Sequence, residues 1–239
     1  MIPLHRIDLS PRVQGLLTRA TGRVKTRGGT SAIARKTWKD ADGTTKHVRQ
    51  ALESMARGAV RCMYCDDNRG MAIDHFEPLE RAPLRAFEWL NHLLSCAYCN
   101  SDVKREEYPV DANGFCLLIN PTIEDPAEHL QLMLASGEYE PVNGSPKGVE
   151  SIRVFGLNRP DLIKGRQDAF DLACSNIRDW HFQRQSNDVR ADRVAKALLD
   201  RPFIDVVHAM TRLKPSVAAI VVGQDTVPAL VAWQAEYGL

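Results

Sequence analysis

No stretch of the 239-residue sequence approaches the roughly 20 consecutive apolar residues that a membrane span requires. The longest uninterrupted apolar run, Val217 to Val222, is six residues and reads as a short buried strand. The opening MIPLHRIDLSPRVQ lacks the apolar segment of a secretory signal, so a soluble, cytoplasmic chain with no membrane partner is expected. Low-complexity tracts and internal repeats are also missing, which excludes solenoids and extended disorder. Aromatic residues make up only 7% and the net charge is only +1. What remains, 44% hydrophobic and 26% charged residues, is ordinary globular composition, enough for one large domain or two small ones.

The small net charge hides an asymmetry. Residues 1–61 carry 13 Lys and Arg against 4 Asp and Glu, whereas residues 62–239 carry 18 against 26. A basic first quarter on an acidic remainder suggests that the N-terminal part faces a polyanion, although a solvated basic arm has the same composition.

Periodicity divides the chain into three parts. Residues 1–46, rich in Gly, Thr, Lys and Arg, read as a basic arm with at most short structured pieces. In the next segment Val48, Leu52, Met55 and Ala59 fall on one helical face. Residues 47–110 therefore form a compact core that includes every cysteine pair, and 111–239 a mainly α-helical region. Within that region FCLLIN is strand-like, and Pro126 is placed to start a helix through AEHLQLML. GEYEPV and VESIRVFGL read as two strands around the turn-rich NGSPKG. From Pro160 onward the pattern is mainly helical.

The chemistry lies between residues 62 and 109. Four of six cysteines form two C-x-x-C pairs, Cys62/Cys65 and Cys96/Cys99, 30 residues apart. Two-residue spacing turns both thiolates of a pair toward one ion, and two pairs complete a tetrahedral sulfur site for which zinc is the natural occupant. A redox dithiol and an iron–sulfur cluster are the competing readings. Cys116 and Cys174 lie in apolar surroundings and read as buried core thiols.

Between the pairs, the short apolar strand Met71-Ala72-Ile73 ends in Asp74-His75, and Trp89-Leu90-Asn91 precedes the second pair. Asn100 follows Cys99 directly and Lys104 lies four residues later. This order of residues resembles the HNH, or ββα-metal, nucleases with a four-cysteine zinc site. The resemblance implies an α+β fold: a zinc-stabilised, treble-clef-like ββα core with a mainly helical C-terminal extension. It implies a metal-dependent endonuclease in which Asp74 and Asn100 hold one Mg²⁺ or Mn²⁺, His75 is the general base and Asn91 helps orient it. Lys104 would contact a phosphate of the substrate. Asn in the third motif position favours a hard metal over an active-site zinc. Adjacent strand residues alternate in direction, so Asp74 and His75 should diverge, and His92 should point away from Asn91. Phe87, Trp89 and Tyr98 are expected to pack around the zinc.

The C-terminal half, with its Ile119-Asn120-Pro121 step, Asp125-Pro126-x-x-His129, Gly156-Leu157-Asn158-Arg159 and Arg166, resembles HNH proteins of bacterial anti-phage systems of the Septu and retron-associated kind. That resemblance implies DNA as the target, with RNA open to the same chemistry, and an ATPase partner subunit. Asn158-Arg159 also reads as a helix-entry turn before Pro160. Two other readings stay open: a non-catalytic zinc module that binds nucleic acid, and a docking subunit of an ATPase-containing defence complex.

Overall fold

The computed structural model describes residues 1–56, 59–67 and 70–238. The chain opens with three helices, α1 (Pro11–Thr26), α2 (Ser31–Lys39) and α3 (Asp42–Ser54). The segment expected to be a basic arm is therefore mostly helical, and its capping chemistry shows why. Ser10 and Thr30 accept hydrogen bonds from the amides of Val13 and Ile33, and Pro11 sits at the first helical position. Gly28 and Gly29, at φ +108° and +65°, make the left-handed link between α1 and α2. The helical periodicity expected from Val48 begins earlier, at Asp42, and α3 buries Thr44, Val48 and Leu52.

Two short antiparallel strands follow, β1 (Ala72–His75) and β2 (His92–Ser95), in a register that pairs Asp74 with Leu93 and His75 with His92. The long connection between them carries 3₁₀ turns at Pro83–Phe87 and Trp89–Asn91. After β2 comes a π-helical turn, Tyr98–Lys104, closed by the Arg105 amide donating to the Asn100 carbonyl five residues back. Helices α1 and α2 pack on the first 3₁₀ turn, and α3 packs on β2. Leu17, Ala20, Val24, Val48, Leu52, Phe87, Leu93 and Leu94 fill one core with the buried cysteines.

A second hairpin, β3 (Leu130–Met133) with β4 (Glu138–Pro141), precedes α4 (Pro146–Val154) and α5 (Pro160–Gln185). Then come α6 (Arg190–Leu199), α7 (Ile204–Thr211), α8 (Pro215–Val222) and α9 (Val227–Tyr237). Three local expectations change here. The helix from Pro126 stops after one 3₁₀ turn, because alternating Leu130, Leu132 and Leu134 serve a strand paired with β4. The second strand expected at 149–157 is mostly helix α4, capped by Ser145 on the Gly148 amide and burying Gly148, Ser151 and Val154 on one face. The apolar run Val217–Val222 is also helical, buried at Ala218 and Val222 while Ile220 faces outward. Short apolar runs do not declare their period; the neighbours they meet decide it.

Cys116 and Cys174 are half-buried at the margins of the two cores. The second core is built on Trp180 and Trp233, edge to face at 5.0 Å, with Ile177 and Leu230. Trp233→Ala removes a fully buried ring, and an urea titration should show a loss of about 3–5 kcal/mol.

Candidate functional site

The two cysteine pairs meet. All four sulfurs lie within 4.8 Å of one another, and Cys65 Sγ is 3.9 Å from Cys96 Sγ. Tetrahedral zinc with bonds of about 2.3 Å needs sulfurs about 3.8 Å apart, so this donor set fits the ion. The first knuckle turns on the Asp66 amide donating to the Cys62 carbonyl, and docks on β2 through the Met63 amide and the Leu94 carbonyl. The second turns on the Asn100 amide and the Cys96 carbonyl, with the Cys99 amide aimed at Cys96 Sγ. Gly70 must be glycine here, since a Cβ would lie 2.3 Å from the Arg61 carbonyl oxygen. Burial pushes the Cys62 thiol up, while its bond to Cys65 draws that thiol down to about 7. An ion that takes all four as thiolates must expel their protons, so occupancy falls in acid.

The expected aromatic packing differs in detail. Phe87 is buried, but Tyr98 is exposed beneath the Arg159 guanidinium at 4.3 Å, and Trp89 lies half-buried under Arg6 at 4.7 Å. Tyr64, between the cysteines of the first pair, is instead a buried ring, stacked with centroids 4.0 Å apart on Phe155, whose carbonyl lies 3.8 Å from Cys99 Sγ. Arg159 Nη1 is 3.9 Å from Cys99 Sγ and brings positive charge to the cluster from the start of α5. Asn158 meanwhile bonds both ways with the Tyr139 backbone.

Asp74 and His75 diverge from β1. Asp74 is buried, and its carboxylate lies between residues supplied by the two knuckles. Tyr64 donates its hydroxyl to Oδ2 at 2.5 Å, and Lys104 Nζ lies 3.2 Å from Oδ1 and 3.1 Å from Oδ2. The same ammonium donates to the His75 carbonyl at 3.0 Å. Burial pushes the Asp74 carboxyl up, opposed by the pull of Lys104 and the Tyr64 hydroxyl. Lys104 is fully buried, so its ammonium faces Asp74 rather than solvent. Asn100 is half-buried, and its side chain makes no hydrogen bond to Asp74 among the described residues. As they stand, Asp74 and Asn100 do not fit a divalent ion, because the Lys104 ammonium already bridges both carboxylate oxygens.

His75 turns the other way. Its Nε2 is 3.0 Å from the Ala86 carbonyl, and its ring meets Trp38 of α2 edge-on at 4.5 Å. A carbonyl only accepts, so Nε2 carries the proton and Nδ1 keeps the lone pair. Desolvation draws the ring's pKa down to about 4, leaving it neutral at pH 7. His92, expected only to point away from Asn91, lies cross-strand from His75 and bonds the same carbonyl at 2.9 Å. Only the register of the hairpin could have revealed it. The Asn91 side chain makes no hydrogen bond to His75 among the described residues; its Oδ1 accepts from the Glu77 amide and its Nδ2 donates to the carbonyls of Glu77 and Arg85. It thereby fixes the loop whose next residue, Ala86, holds both imidazoles. Above them Arg35 of α2 ties Glu80 to Glu106 across the site.

The cysteine cluster also reaches the second core. Asp66, beside Cys65, accepts the Phe203 amide on its carbonyl and the Asp205 amide on Oδ2 at 2.8 Å, fixing the start of α7. Elemental analysis is expected to find about one zinc per chain. Cys96→Ser should abolish it, and a strong chelator should lower the melting temperature of the whole chain by on the order of 10 °C or more. For the imidazoles, the folded pKa lies below the ordinary 6.5, at about 4 for His75 and about 3 for His92. Their contribution to stability is therefore complete above pH 6.5 and is lost as pH falls toward 4. An NMR titration should find both rings neutral at pH 5.5.

No family model matches the chain, and no solved structure matches it. It is similar to Septu protein PtuB of Bacillus mycoides (strain KBAB4), 29% identical over 148 residues, covering 50% of this chain and 49% of that protein. It is likewise similar to Septu protein PtuB of Bacillus thuringiensis, 27% identical over 127 residues, covering 49% of this chain and 43% of the relative. The chain thus spans about half the length of the curated relatives it matches. No helix among the described residues is long and apolar enough to cross a membrane.

Proposed function

We propose that the chain is a zinc-stabilised HNH-type endonuclease that hydrolyses phosphodiester bonds in DNA as part of bacterial anti-phage defence. The observation that carries this reading is the pairing of His75 with the Ala86 carbonyl, 3.0 Å from Nε2, at the end of a ββ hairpin leading into the second knuckle. A neutral imidazole with Nε2 occupied and its lone pair on Nδ1 is equipped to take a proton from water attacking phosphorus. Ala86, placed by Asn91, keeps the tautomer. Zinc on the four cysteines would supply no chemistry; it would cross-link the two knuckles that carry Tyr64 and Lys104 to Asp74. The defence role is supported by the relatives' name together with the sequence resemblance. An ATPase partner and a cytoplasmic location belong to the same proposal.

The polyanion has a surface suited to it. Arg12, Arg19 and Arg23 are exposed at spacings of seven and four on α1, one stripe away from the buried Leu17, Ala20 and Val24. Exposed Arg35, Lys36 and Lys39 lie on α2, whose Trp38 touches His75. A second reading, a docking subunit without activity of its own, is favoured by one observation, the Lys104 ammonium on Asp74.

The decisive experiment is plasmid cleavage in Mg²⁺ or Mn²⁺ by wild type and by zinc-replete His75→Ala. Cleavage that disappears in the variant supports the nuclease. Equal activity in both overturns the role of His75, and inactivity of both favours the docking reading. Independently, Arg12→Gln/Arg19→Gln/Arg23→Gln should flatten the slope of log binding constant against log salt by about 2 to 3 without altering zinc content.

A further inference from the structure

The Asp74 cluster is built as a cation site, and the cation in it belongs to the protein. Lys104 Nζ meets two carboxylate oxygens and one carbonyl oxygen at 3.0–3.2 Å, with both side chains at most 4% exposed. These are the oxygen donors that a hard divalent ion would take, but such an ion binds at about 2.0–2.1 Å. Held at that distance from the oxygens that Lys104 bridges at 3.1 and 3.2 Å, it would lie close beside the ammonium and be repelled by its charge. Tyr64 takes up a further lone pair of Oδ2 by donating its hydroxyl to it.

We infer that Lys104 is the resident counter-ion of Asp74, and that a divalent ion reaches this carboxylate only by displacing it. The inference rests on reading Asp74 as the acidic residue of the site. The backbone next to Lys104 is suited to such a movement. Lys104 ends a π-helical turn, whose wide hydrogen bonding is less regular than that of an α-helix, and Arg105 after it is held at φ +45°, a left-handed conformation costly for a residue with a Cβ. A displaced ammonium needs a new anion, and a nucleic-acid phosphate is the partner of matching chemistry. Lys104 would then have two stations: Asp74 in the free protein and a phosphate in the complex. Ion and nucleic acid would each strengthen the binding of the other.

The test is Mn²⁺ binding, followed by electron paramagnetic resonance, on zinc-replete full-length protein without nucleic acid. Wild type should bind no tighter than millimolar at Asp74. Lys104→Met, which keeps the volume and removes the charge, should bind at least tenfold more tightly, and adding Asp74→Asn should abolish the gain. Lys104→Met no tighter than wild type overturns the inference. So does a micromolar site in wild type that Asp74→Asn removes, a result that decides the matter even if Lys104→Met fails to fold. Because the readout is binding, a wild type that cleaves DNA while Lys104→Met leaves Mn²⁺ affinity unchanged sinks this inference alone. A wild type that never cleaves, with a variant that binds Mn²⁺ tightly, sinks the nuclease reading and leaves this one standing.

Discussion

Four sulfurs drawn within 4.8 Å are the constraint on which the rest of the molecule hangs. The hairpin beneath them has only four residues per strand, too little on its own to hold a defined shape. A metal bound across both knuckles would supply what that short sheet cannot. The first knuckle is anchored to β2 and carries Tyr64 inward; through Asp66 it also fixes the start of α7. The second leads directly into the turn that returns Lys104 to β1, and Arg159 brings the start of α5 to its sulfur. Both cores therefore meet at one small cluster, which couples the helical C-terminal region to the site.

Around that cluster, two kinds of polar arrangement solve the problem of burying charge. Asp74 is kept in a dry place by a cation and a hydroxyl, and removing either member of the Asp74–Lys104 ion pair leaves an uncompensated charge that costs several kcal/mol. His75 and His92 are kept neutral instead, both turned to one carbonyl and drawn well below their ordinary pKa by burial. The two faces of β1 are thus electrostatically distinct, with a salt bridge on one and uncharged imidazoles on the other. Strand alternation creates that division, and the packing of α2 through Trp38 shields the imidazole face.

Much of this was legible in the residues. C-x-x-C spacing announces convergence on an ion because two residues between thiols leave few geometries. Asp74 next to His75 on a strand announces divergence for the same reason of local stereochemistry. The caps at Ser10 and Thr30, with Pro11 and the glycine pair, mark two helices in a segment whose composition alone suggests a basic arm. Segments such as Leu130–Met133 and Val217–Val222 were less legible: a short apolar run satisfies strand and helix alike until its neighbours are known.

By itself, then, the sequence determined the ligand set, the divergence of the acid and the imidazole, and the concentration of positive charge in the first quarter of the chain. All of these follow from short-range spacing, which the backbone obeys wherever it is placed. Only the tertiary structure decided the partners. Lys104 closes on Asp74 across 30 residues, His92 joins His75 through hairpin register, Asn91 bonds the loop that holds the rings, and α2 packs Trp38 against the imidazoles. Such pairings depend on how distant segments share one buried volume, and charge is paired there by whichever neighbour the fold delivers.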